Sequence, residues 1–353
     1  MKKALALETS STYLSNTLFI LGICCILSFS VVNNCLAQQT DIRVHDPVMI
    51  KEGDTYYLFC TGRGISVFSS TDMQSWKEEE RVFDEAPEWT QEAVSGFRGH
   101  FWAPDISYYD GKYYLYYSVS AFGKNTSAIG LVTNTTLDAD DPDYQWEDQG
   151  MVIQSVPNRD MWNAIDPNLI TDEEGYPWLS FGSFWGGLKL VRLIPNRDAL
   201  AEPEEWFTIA SRERSPGLAD AHPGDAAIEA PFIFKKDSMY YLFASWDYCC
   251  RGENSTYKVV VGRSEHVTGP YLDKEGKSMA KGGGSLVIEG NQDWAGVGHN
   301  SAYTFEDKDY LVFHAYDIND NGHAKLKIAE INWDSEGWPV VNQNILTSAL
   351  QKP

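Results

Sequence analysis

The chain is poor in cysteine, in positive charge and in helical periodicity. It has six cysteines in 353 residues, and three of them (Cys24, Cys25 and Cys35) fall in an N-terminal segment expected to be removed. Cys60 and the adjacent pair Cys249 and Cys250 are too few for a disulfide framework. No second pair stands at metal-ligand spacing, which argues against a zinc site. Lys and Arg number 28 against 50 Asp and Glu, for a formal net charge of −22. A surface that acidic repels nucleic acid and anionic lipid. No stretch beyond the N-terminal segment sustains a 3.6-residue apolar period, so a helical fold is not expected.

The long apolar run, Leu18 to Val32, is too short and too closely followed by polar chain to read as a membrane span. Lys2 and Lys3 lie ahead of it and Cys35-Leu36-Ala37 behind it, the pattern of a secretory leader cleaved after Ala37. Residues 38–353 then form one domain of a secreted or periplasmic protein, expected as a monomer with no membrane insertion. A lipid anchor on Cys35 would need a small residue before it, and Asn34 is not one.

Aromatics are plentiful: 13% of the chain, with 12 Trp and 19 Tyr. They recur in a repeated unit. A short apolar strand follows a proline, a Gly/Asp turn reverses it, and an aromatic strand returns. The clearest copy runs from Ala103-Pro104-Asp105 to Tyr113-Tyr114-Leu115-Tyr116. The other copies lead to Tyr57, Trp178, Tyr241 and Tyr310, so the five aromatics are spaced 57, 64, 63 and 69 residues apart. A long, nearly fixed period is the signature of a repeat architecture. Each repeat holds about four strand-like runs separated by turn signals such as Asp110-Gly111 and Glu174-Gly175. The expected fold is all-β: a five-bladed β-propeller with four antiparallel strands per blade. The repeats begin and end with the domain, so closure by packing, without a shared blade, is expected.

In a propeller the first strand of each blade lines the axis, so the starts of those strands converge. They carry His45-Asp46, Trp102-Ala103-Pro104-Asp105, Ile165-Asp166, Glu229-Ala230 and His299-Asn300. Singly, an Asp before Pro is a turn opener. Jointly, Asp46, Asp105, Asp166 and Glu229 put carboxylates around one funnel. Clustered carboxylates suit glycosidic bond cleavage, in which one acid stays protonated and another stays ionised. A third nearby carboxylate raises the donor's pKa.

Val44-His45-Asp46-Pro47, Phe101-Trp102-Ala103-Pro104-Asp105, Asn163-Ala164-Ile165-Asp166-Pro167, Ile228-Glu229-Ala230-Pro231 and Gly298-His299-Asn300-Ser301 together resemble glycoside hydrolase family 43. Within it, they and the stretch from Asp247 to Val259 are similar to endo-1,5-α-L-arabinanases. The resemblance implies an inverting hydrolase of internal α-1,5 links in arabinan, the side chain of pectin. It implies Asp46 as general base, Glu229 as general acid, and Asp166 as modulator of the acid's pKa and orientation. It implies His299 at an axial metal, usually calcium, although calcium prefers oxygen ligands. Trp102 and Phe122 match aromatics that platform sugars, and His45, Asn163 and Ser183 are expected polar substrate contacts. Asp105 either binds sugar or fixes the Trp102 loop, and the second role is preferred. Cys249 and Cys250 either form a vicinal disulfide lining the cleft or remain thiols. The rivals are an exo-acting α-L-arabinofuranosidase or β-xylosidase on the same scaffold, and a non-catalytic sugar-binding propeller. The absence of an appended β-sandwich favours an open, endo-acting cleft, and the presence of all three of Asp46, Asp166 and Glu229 favours an enzyme.

Overall fold

The computed structural model describes residues 41–346, and the leader and its cleavage point lie outside them. The described chain forms five antiparallel sheets arranged as a five-bladed β-propeller. Blade one is Val48–Glu52, Thr55–Cys60, Ser66–Ser70 and Lys77–Glu78. Blade two is His100–Tyr109, Lys112–Val119, Ser127–Asn134 and Glu147–Ser155, with the two-residue strand Gly62–Arg63 added beside its first strand. Blade three is Asn168–Thr171, Pro177–Phe181, Leu188–Arg192 and Trp206–Ala210. Blade four is Ile228–Lys236, Met239–Trp246, Lys258–Ser264 and Ser285–Glu289. Blade five is Trp294–Phe305, Lys308–Asp317, His323–Trp333 and Pro339–Val341. One five-residue helix, Trp89–Ala93, sits in the connection between blades one and two.

The second strands are nearly continuous apolar runs because both their faces are covered by neighbouring blades. Five apolar clusters result, one at each blade junction. Phe59, Phe101 and Tyr117 join blades one and two, and Tyr116, Leu131 and Phe181 join two and three. Leu190, Ile233 and Leu242 join three and four, and Phe243, Leu311 and Phe313 join four and five. Met49, Leu58, Phe305 and Val312 join five back to one.

Closure differs from the sequence expectation. The fourth strand of blade five covers only Ile331 to Trp333 of the third strand. The free remainder of that edge takes the N-terminal residues Ile42 to Val44. Val44 N–H donates to the Ala324 carbonyl at 3.2 Å and Leu326 N–H to that of Ile42 at 3.2 Å. Blade five is therefore shared between the two ends of the described chain. Lys325 pins the junction: its Nζ lies 2.7 Å from Asp41, 2.9 Å from Asp317 and 3.1 Å from Asp320. Its side chain is 8% exposed, although two of the three acids are open to water.

Lys325→Met keeps the stem and removes the charge that the three carboxylates share, leaving only Asp320 with other basic neighbours, Arg43 and His323. The expected cost is roughly 1–3 kcal/mol after allowance for solvent screening, seen as a melting midpoint several degrees lower. An unchanged midpoint by calorimetry would show that closure rests on packing alone.

Candidate active site

The first strands reach the axis through an unusual backbone feature. Asp46, Ala103, Asp166, Ala230 and His299, one at the start of each blade, all have φ between +40° and +57°. Left-handed backbone is disfavoured for non-glycine residues, and it concentrates at functional sites. In blades two, four and five it coincides with β-bulges that shift the register between Trp102 and Asp105, Glu229 and Phe232, and Gly298 and Ser301. Bulges of this kind re-aim side chains.

Each left-handed residue donates its N–H to a side chain of the preceding blade. Ala103 donates to Thr61 Oγ1 (2.8 Å), Asp166 to Ser118 Oγ (3.0 Å), His299 to Ser245 Oγ (2.8 Å) and Asp46 to His314 Nδ1 (3.2 Å). These acceptors stand four residues after the aromatics that mark the repeat. In blade three that place is Gly182, which has no side chain. Ala230 N–H donates instead to Asp166 Oδ2 at 3.1 Å. Sequence reading missed this ring of acceptors. Their constant offset was the available signal, hidden because Thr, Ser, Gly and His do not look alike.

Of the four carboxyls at the blade starts, Asp46 has the most polar contacts. Its Oδ1 lies 2.7 Å from His45 Nδ1 and 2.9 Å from His299 Nδ1. Its Oδ2 accepts from the Thr61 hydroxyl at 2.5 Å. Burial by itself would raise its pKa. The two imidazoles, through charge and hydrogen bonds, outweigh burial and hold it well below the usual carboxylate range. Asp46 is therefore an ionised carboxylate. His299 is the counterpart: burial would lower its pKa, but Asp46, then Asp166 and Glu229, push it up to about 9. His314 is held neutral, its pKa lowered first by burial and then by His45.

Glu229 is the opposite case. Burial and then the Asp166 charge push its pKa well up, against the hydrogen bond from Ser183 Oγ at 2.6 Å. Asp166 is also raised, by burial first and then by Asp46, while His299 and the Ala230 N–H oppose the shift. Two carboxyls in one dry site share poorly, and the one without an imidazole or backbone donor holds the proton.

The expected substrate contacts also meet protein groups. His45 has both ring nitrogens engaged, by Asp46 and by the Tyr316 hydroxyl at 2.7 Å, so it orients the carboxylate and has no free donor for sugar. Ser183 is likewise committed to Glu229. Asn163 is buried, and its side-chain oxygen has no partner and no solvent access. Asp105 does not fix the Trp102 loop. It accepts from Leu169 N–H at 2.8 Å and Asn168 Nδ2 at 3.2 Å, tying blade two to blade three. Burial, against those two bonds, raises it to about 7. Trp102 is half-buried at the start of its strand. Phe122 is 80% exposed in the loop after Val119, on the same end of blade two as Trp102. Cys249 and Cys250 are joined as a vicinal disulfide.

Ligand atoms of His45, Asp46 and His314 lie within 4.8 Å of one another. The two imidazoles are stacked at 4.0 Å with an interplanar angle of 29°. In-plane lone pairs on stacked rings do not converge on one ion, so this trio is a poor metal chelate. His299 is the other imidazole on Asp46: its Nδ1 lies 2.9 Å from Oδ1, so Nε2 is the ring atom that would face the expected calcium.

The sequence profile of Glycosyl hydrolases family 43 matches residues 40–339. The chain is 57% identical over 318 residues to the extracellular exo-α-(1→5)-L-arabinofuranosidase ArbA of Cellvibrio japonicus, covering 90% of this chain and 91% of that one. It is 45% identical over 300 residues to the extracellular endo-α-(1→5)-L-arabinanase 1 of Bacillus subtilis, covering 84% and 87%. The solved structure of a Cellvibrio cellulosa α-L-arabinanase complexed with arabinohexaose superposes with a TM-score of 0.86 at 57% identity, over 87% of this chain and 98% of that one.

Asp166→Asn keeps an acceptor for Ala230 N–H and removes the charge that raises Glu229. If Glu229 must be protonated, activity falls as pH rises through its pKa, and lowering that pKa moves the alkaline limb of kcat/KM to lower pH. A limb that stays in place in a pH–rate profile would remove Asp166 from this role.

Proposed function

Because the chain belongs to glycosyl hydrolases family 43, we propose that it hydrolyses the α-1,5-L-arabinofuranosidic links of arabinan with inversion. The observation that carries the reading is the separation of the carboxyls into one held ionised, Asp46, and one held protonated, Glu229. Both relatives above are named for activity on α-(1→5)-linked arabinose, which supports the substrate.

Asp46 acts as general base at a definite oxygen. Oδ1 is buried and already faces two imidazole nitrogens. Oδ2 receives one hydroxyl and keeps a lone pair, so the attacking water gives its proton there. Glu229 protonates the leaving oxygen. Ser183 takes its Oε2, which leaves Oε1 to face the glycosidic oxygen. Asp166 keeps Glu229 protonated until transfer and holds the start of blade four through Ala230 N–H. Trp102 and the exposed Phe122 offer ring faces to the sugars.

His299 is the residue that would hold a calcium ion, with water in the remaining positions. Such an ion would supply positive charge beside Asp46 and Asp166. Without one, the proton on His299 supplies it.

We take the enzyme to act from a chain end, since the exo-acting relative shares 57% of aligned residues and the endo-acting one 45%. Internal cleavage, expected from sequence, is the second reading, and the endo-acting relative supports it. The N-terminal leader and the extracellular relatives support export.

Early products from linear arabinan, with anomeric configuration followed by NMR, test the reading. Short products of one size with inverted anomeric centres are expected. A spread of oligomers would assign internal cleavage, retained configuration would break the Asp46 and Glu229 roles, and binding without turnover would leave a sugar-binding propeller.

A further inference from the structure

One feature of the site plays no part in the chemistry above: the disulfide between neighbouring residues Cys249 and Cys250. Cys250 is exposed, and its backbone has φ +65°. Its N–H donates to the Tyr316 hydroxyl at 2.8 Å. That hydroxyl lies 2.7 Å from His45 Nε2, and His45 Nδ1 lies 2.7 Å from Asp46 Oδ1. Cys250 Sγ itself is 3.9 Å from His45 Nε2.

The first link of this chain has a fixed direction. A backbone N–H can only donate, so the Tyr316 oxygen accepts from Cys250 and is held 2.7 Å from His45 Nε2. On its other side the same ring places Nδ1 2.7 Å from Asp46 Oδ1. One N–H thus anchors the hydroxyl that fixes the His45 ring orientation at the carboxylate. Tyr316 has room for this because residue 296 is glycine, at φ +50°. A Cβ there would come within 2.8 Å of the Tyr316 ring and 2.3 Å of Ser255 Cβ.

What points the Cys250 N–H is the ring closed by the disulfide. A bond between adjacent side chains encloses the 249–250 peptide in an eight-membered ring and removes its freedom to rotate. Asp247 anchors the segment from behind, held by Arg212 at 2.7 Å and Lys258 at 3.0 Å. Without the bond, a non-glycine residue at φ +65° on the surface has little to keep it there.

We propose that the Cys249–Cys250 disulfide and Tyr316 form a positioning element for the catalytic base, acting on Asp46 through His45. The proposal rests on Asp46 being the base. Opening the disulfide needs an external dithiol. The dithiol gives two electrons and two protons and closes to its own cyclic disulfide, while the Cys249–Cys250 S–S bond breaks to two thiols. The protein then keeps its substrate surface but loses the donor that orients Tyr316.

Four proteins test it on a linear α-1,5-arabino-oligosaccharide: wild type and Tyr316→Phe, each with and without dithiothreitol, and the variants Cys249→Ser/Cys250→Ser and Asp46→Asn. Opening of the disulfide is checked by alkylation and peptide mass. Tyr316→Phe is expected to lower kcat by about 10- to 100-fold, in line with a small misplacement of a reacting group. KM should stay within about twofold, and the melting midpoint near wild type. The reduced wild type and the double serine variant should show the same kcat loss, and reoxidation should restore the wild type. Reduction should cost Tyr316→Phe nothing more, because both changes break one chain. Full kcat in the reduced wild type, or a second equal loss when Tyr316→Phe is reduced, overturns the proposal. Wild-type turnover by Asp46→Asn would instead overturn the base assignment on which it rests.

Discussion

The structure depends on five backbone N–H groups that point around the axis. Each belongs to a residue in left-handed conformation at the start of a blade, and each finds its acceptor on the blade before. Left-handed backbone costs roughly 1–2 kcal/mol per non-glycine residue, and one buried hydrogen bond returns about 1. The ring thus adds no stability of its own. What it provides is placement, since at each start the chain is turned so that side chains face a common centre. The apolar junctions between blades hold the residues that must tolerate this conformation. A second set of links, from Asp105 to Leu169, from Asn168 Oδ1 to Ile233 N–H and from Ser301 to Pro47, fastens the same strands further along.

Chemical roles follow from the departures from five-fold repetition. Blade three lacks the acceptor side chain at Gly182, and Asp166 fills the gap, so its carboxylate is at once a structural acceptor and a charge beside Glu229. Blade five carries His314 at the acceptor place in its second strand, and the ring reaches Asp46 through an imidazole that must stay neutral to accept. Blade one places Thr61 so that its oxygen takes an N–H from blade two and its proton goes to Asp46. Glu229 stands one residue ahead of the left-handed position, which is taken by Ala230. It therefore has no backbone donor of its own, and burial keeps its proton on. Equivalent places in a repeat thus yield carboxyls with opposite protonation.

Much of this was legible in the sequence. The aromatic second strands at Tyr57, Tyr114, Trp178, Tyr241 and Tyr310 revealed the blades, because a strand covered on both faces must be apolar along its length. The three carboxylates were legible because they precede proline or alanine-proline at the blade starts. Three things were not. The shared fifth blade depends on how far Pro339–Val341 extends, and a three-residue strand has no clear sequence boundary. His45 and Ser183 read as substrate contacts because nothing local shows that Tyr316, 271 residues away, and Glu229 occupy their polar atoms. Asp105 read as part of the Trp102 loop because its true partners, Asn168 and Leu169, lie in the next blade.

The central claim is that one fold position holds Asp46 ionised while the neighbouring one holds Glu229 protonated in the resting protein. Carbon-13 NMR of carboxyl-labelled protein reads both groups directly, with Asp46→Asn and Glu229→Gln used for assignment. At neutral pH the account predicts an Asp46 carboxyl carbon at the ionised position and a Glu229 carbon at the protonated position. Glu229 should lose its proton only above the ordinary carboxylate range. An ionised Glu229 at neutral pH, or a protonated Asp46, would contradict it.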